Sequence, residues 1–148
     1  MSFNIILQIL TASIAATSVM TLFSYAISAS ARELYKEPVL LTYILTALRL
    51  KISKNLKTIF GWLLHYLIGL CFVIGYHFLW WNEFLEISWA ASILLGVLSG
   101  IIGIISWIIL FEIIPQKPNI DYKGYYTQLF VAHIIFGVTA FLIYKLFL

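Results

Sequence analysis

Residues 87–114 read ISWAASILLGVLSGIIGIISWIILFEII, an unbroken apolar run in which Glu112 is the single charged side chain. A helix needs about 20 such residues to cross the roughly 30 Å hydrocarbon core of a bilayer. This stretch is longer than that, and no soluble helix of its length is apolar all round unless a large protein buries it. Working outward, three more stretches pass the same test: residues 3–29, 59–81 and 125–147. Each is continuous rather than alternating, which points to spanning helices and not to barrel strands.

The rest of the composition agrees. Of 148 residues, 63% are hydrophobic and 10% charged, against about 25% charged in a soluble domain. Too little polar surface exists to cover a water-facing globule, so the excess apolar surface faces lipid. The expected fold is therefore an all-α, integral membrane four-helix bundle built from two tandem parallel helix hairpins, one domain over residues 1–148. Cys71 is the lone cysteine, so no disulfide can form within the chain. The net charge of +3 comes without a basic-aromatic nucleic-acid motif, and anionic lipid headgroups of the bilayer account for it.

Charge placement predicts the orientation. Arg32, Lys36, Arg49, Lys51, Lys54 and Lys57 lie between spans one and two, and Lys117 and Lys123 between spans three and four. The connection between spans two and three carries Glu83 and Glu86 but no Lys or Arg. The positive-inside rule then places both termini outside and the basic loops in the cytoplasm, in a cell inner membrane. Trp80, Trp81 and Trp89 are expected to form the outer aromatic belt, with Tyr76 and Tyr144 as further anchors. Span one lacks a basic leader region and is expected to be retained rather than cleaved after the small residues Ser28–Ala31. The first basic loop contains Pro38 and an apolar stretch, which predicts an interfacial amphipathic helix over about residues 39–54.

Spans two and four share a pattern. His65, Gly69 and Tyr76 match His133, Gly137 and Tyr144 as His-x3-Gly-x6-Tyr. At 100° per residue the Gly lies about 40° and the Tyr about 20° from the His, so all three share one helix face. Spans one and three carry small residues instead: Ser13, Ala16, Thr17, Thr21, Ser24 and Ser28 in the first, and Ser92, Gly96, Ser99, Gly100 and Gly103 in the third. Such faces let backbones approach closely, and Gly96–Gly100 is a GxxxG pair able to act within or between chains.

Ala16-Thr17-Ser18-Val19-Met20, Glu37-Pro38-Val39-Leu40-Leu41 and the two His-x3-Gly-x6-Tyr helices together resemble the YagU-like proteins and related small bacterial inner-membrane families. That resemblance implies a four-helix inner-membrane protein without established chemistry, and it supplies no catalytic residues.

An ionisable side chain inside the membrane marks a candidate site. His65 and His133, about two turns into their spans, could ligate a haem b axially or share a transition metal with Glu112. They could also line a proton or solute path, or simply hydrogen-bond the neighbouring span, the commonest role of such residues. His77 projects about 120° from the His65 face, and Glu112 is placed to pair with Lys117. No phosphate loop, HExxH, CxxC or nucleophile elbow is present. The expectation is a non-enzymatic structural or accessory membrane component that forms a homo-oligomer or joins a larger membrane complex. Haem or metal binding through the histidines, and a channel or transporter subunit, are the alternatives.

Overall fold

In the computed structural model, residues 3–147 are described, and they form five helices in the order α1 (Phe3–Ala31), α2 (Glu37–Ala47), α3 (Lys54–Trp81), α4 (Trp89–Ile113) and α5 (Tyr122–Lys145). No strand occurs among the described residues. Four of the helices, α1, α3, α4 and α5, are long and apolar enough to cross a membrane.

The chain punctuates itself locally. Ser53 opens α3 by accepting the Leu56 amide at 3.3 Å, and Ser88 opens α4 by accepting the Ala91 amide at 3.2 Å. Each satisfies a backbone donor that the first helical turn leaves free. Pro38 sits in the first turn of α2, where its missing N–H costs nothing. Helices α1, α2 and α3 end next to Arg32, Arg49 and Glu83, whose φ angles of 57°, 54° and 58° are left-handed. Glycine usually occupies such terminating positions. The termination at Arg49 shortens the expected interfacial helix, so that Lys54 and Lys57 belong to the first turn of α3 instead.

Burial departs from the soluble pattern at the outer surface, while the core keeps apolar residues such as Leu40, Phe111 and Phe136. Outward positions are large and apolar, such as Ile14, Leu22, Ile59 and Ile105. The buried stripe of α1 is polar and small: Ser13, Thr17, Thr21, Ser24 and Ser28, with Ala12 and Ala16. Three of these hydroxyls have partners: Thr21 bonds the carbonyl one turn back at 2.6 Å, Ser24 the Glu37 carboxyl at 2.7 Å, and Ser28 the Glu33 carbonyl. Such a surface suits lipid rather than water, since in lipid apolar groups need no burial and polar ones do.

Helix α1 packs on α3 and α5, α5 packs on α4, and α2 lies against α3. Helices α3 and α4 touch mainly through Tyr76, whose hydroxyl lies 2.6 Å from Ser99 Oγ and 3.2 Å from the Leu95 carbonyl. Tyr76 and Tyr144 are thus buried bridges rather than surface anchors: both are 3% exposed. Trp80 is likewise turned inward, 4% exposed, with its ring 4.8 Å from that of Tyr144. Trp81 and Trp89 face outward, 64% and 55% exposed.

Candidate functional site

The two His-x3-Gly-x6-Tyr triads occupy equivalent registers. His65 follows Lys54, the first residue of α3, by the same eleven positions that separate His133 from Tyr122, the first of α5. At 1.5 Å per residue both imidazoles sit about 16 Å along their helices, and all six triad residues are buried. The glycines explain why the helices can come so close. A Cβ on Gly137 would lie 2.6 Å from the Ser92 carbonyl oxygen and 2.9 Å from the Gly96 backbone. One on Gly69 would run into the Thr17 side chain. Gly96, Gly100 and Gly103 all face α5, around His133 and Ile134.

Hydrogen bonds set the histidine tautomers. His133 Nδ1 donates to the Leu129 carbonyl at 2.8 Å, which leaves Nε2 with its lone pair. Gly103 makes room for that edge of the ring, since a Cβ there would stand 3.0 Å from Nε2. His65 Nε2 lies 2.8 Å from Thr21 Oγ1, and that hydroxyl already donates to the Thr17 carbonyl at 2.6 Å. With its one hydrogen committed, the hydroxyl accepts from His65 Nε2–H, and the lone pair of His65 is on Nδ1.

Both histidines line one cavity of 420 Å³ that opens between α3 and α4. Its walls are mostly apolar, with Ile68, Cys71 and Phe72 on one side and Ile102, Ser106 and Trp107 on the other. Cys71, Ile102 and Ser106 are exposed at the outer surface of the bundle. The opening therefore faces the surroundings of the helices sideways, below the point where Tyr76 ties α3 to α4.

Glu37, which the sequence pattern did not single out, also lines this cavity. It is 2% exposed. Its Oε1 accepts from Ser24 Oγ at 2.7 Å and from Gln128 Nε2 at 3.4 Å, while its Oε2 has no partner. Gln128 Oε1, Thr17 Oγ1 and the Tyr125 hydroxyl are also buried and unpartnered. No lysine or arginine lines the cavity among the described residues. The neighbouring Lys36 turns away, its Nζ 4.8 Å from the centre of the Tyr25 ring. Burial raises the Glu37 carboxyl from its usual 4.5 to about 7, against the smaller opposing effects of Ser24, its own backbone and Gln128. Two signals in the sequence could have revealed the site: an acidic residue opening an otherwise apolar helix, and Gln128 as an amide within an apolar span.

The remaining candidates are not gathered here. Glu112 is 65% exposed and paired with Lys117 at 2.6 Å, so it does not join the histidines. His77 Nδ1 meets the Tyr144 hydroxyl at 2.7 Å instead of entering the cavity. Among the described residues no group of three His, Cys, Asp or Glu side chains could hold a metal ion. A bis-histidine haem fits poorly: its propionates would find no cation in the cavity, and ligation by His65 Nε2 would break the bond to Thr21. Comparison with known proteins found no matching family model, no matching curated protein and no matching solved structure.

Proposed function

We propose that this chain is a multi-pass membrane protein of two tandem helix hairpins, α1 with α3 and α4 with α5, that binds a small membrane-dissolved molecule. The supporting observation is the sideways crevice between α3 and α4, apolar along its walls and polar where Glu37, His65 and His133 line it. A pocket of this kind holds an amphiphile by its apolar body and orients it by a few polar groups. Entry is from the bilayer rather than from water. The basic loops are assigned to the cytoplasmic side and both termini to the other.

Self-association through GxxxG loses its main support. Gly96 and Gly100 are spent inside the chain, where Gly96 lies against the backbone of Ile134 and Gly100 against Phe130.

The test is photolabelling with adamantyl diazirine, an apolar probe that partitions into bilayers. Peptide mapping is expected to show labelling concentrated at Cys71, Ile102 and Ser106, and loss of that concentration in Ser106→Trp, which fills the opening. Uniform labelling of outward residues, unchanged in Ser106→Trp, would rule the binding role out.

A further inference from the structure

We propose that the molecule taken by the crevice is a lipophilic cation, its charged centre held by the Glu37 carboxylate in exchange for the proton that Glu37 carries when the crevice is empty. The inference rests on the binding role above and adds the chemical class of the ligand.

The first argument is a count of donors and acceptors. Ser24 and Gln128 both direct hydrogens at Glu37 Oε1, and nothing is directed at Oε2. Gln128 Oε1 is a further acceptor without a donor, while the Thr17 and Tyr125 hydroxyls are unpartnered groups able to donate or accept. A buried site with surplus acceptor atoms and a carboxyl group is complementary to positive charge or to a proton.

The second argument is the missing counterion. A buried carboxylate is normally paired with a cation or made neutral. The groups facing Glu37 offer no positive partner: Tyr25 from α1, Tyr125 and His133 from α5, and His65 from α3. Lys36, next to it on the chain, is engaged with Tyr25. Helix α4 contributes no titratable group to the cavity among the described residues. In the empty crevice the carboxyl is therefore neutral at moderate pH, in keeping with its upward displacement to about 7.

The third argument is the wall. Phe72, Trp107 and Phe136 line the same cavity, and aromatic faces attract cations most strongly where water is excluded. A volume of 420 Å³ suits a compact organic cation rather than a long-chain lipid. The exchange balances: one positive charge enters, one proton leaves from the Glu37 carboxyl, and the buried net charge stays constant. An uncharged ligand of the same shape would gain the apolar contacts alone.

Methyltriphenylphosphonium and its uncharged analogue triphenylphosphine oxide separate these cases by equilibrium dialysis against the full chain in detergent. The cation is expected to bind with release of one proton in weakly buffered solution. Its affinity should rise about tenfold per pH unit below pH 7 and level off above it. In Glu37→Gln the cation is expected to bind at least tenfold more weakly without pH dependence, while the oxide binds both proteins alike and so reports an intact crevice. Cation binding to the unaltered chain without proton release, or equal retention in Glu37→Gln, would overturn the inference and leave the binding role standing. Failure of both probes at every pH would overturn the two together.

Discussion

The two halves of the bundle use one sequence pattern in two ways. On the α4–α5 side, Gly96 and Gly137 bring backbone against backbone, and His133 turns back to bond its own helix. On the α1–α3 side, Gly69 admits the side chain of Thr17, and His65 reaches across to Thr21. The first seam is tight because there is nothing in it to move. The second is mediated by side chains, and the crevice and the unpaired Glu37 border it. A repeated motif therefore guarantees equal depth and facing but not equal packing, since the partner helix decides what the glycine admits.

The strongest test of that contrast exchanges each glycine for alanine. Gly137→Ala should cost about 3 kcal/mol, because its Cβ meets the Ser92 carbonyl and the Gly96 backbone, neither of which can rotate away. Gly69→Ala should cost about 1 kcal/mol, because Thr17 can change rotamer. Thermal unfolding in detergent measures both, and equal losses would erase the distinction between the seams.

A second test uses the carboxyl beside the looser seam. Glu37 is raised from 4.5 to about 7, so the native state holds its proton over a range where the unfolded chain has lost it. Stability attributable to this group is then full below pH 4.5 and declines as pH rises through 7, by on the order of 3 kcal/mol in total. Glu37→Gln should flatten that decline and equal or exceed the unaltered chain at pH 8. An unfolding temperature independent of pH between 5 and 8 in the unaltered chain would show that the carboxyl is compensated.

The smallest effects separate two hydroxyls on α1. Thr21→Val removes the acceptor of His65 Nε2 and should cost about 1 kcal/mol. Thr17→Val replaces a hydroxyl without a side-chain partner by a methyl of the same shape and should be neutral or slightly stabilising. If Thr17→Val proves the costlier, the seam is held by Thr17 and the roles reverse.

Much of this is legible in the sequence. Residues 87–114 need only their length and hydropathy to be read as a spanning helix, and His65 and His133 need only their spacing to share a depth. Trp80 and Tyr144 were not readable in this way. An aromatic residue near the end of a span serves equally as a lipid anchor or as a buried bridge, and helix rotation chooses between them. Glu37 was not legible as a site residue because it opens α2, between the first two long helices, and a charged residue at the start of a short helix there is ordinarily solvated.

The sequence by itself determined the number of long apolar helices and the inward face of α3 and α5, because hydropathy and a 3.6-residue period are local properties. Only the tertiary structure decided which helices touch, that α3 and α4 part to leave a crevice, and that Ser24 and Gln128 close on a carboxyl from a third element. Those features depend on contacts between residues as far apart as 104 positions, such as Ser24 and Gln128. No pattern along the chain records such a contact, because it arises only when separate helices pack.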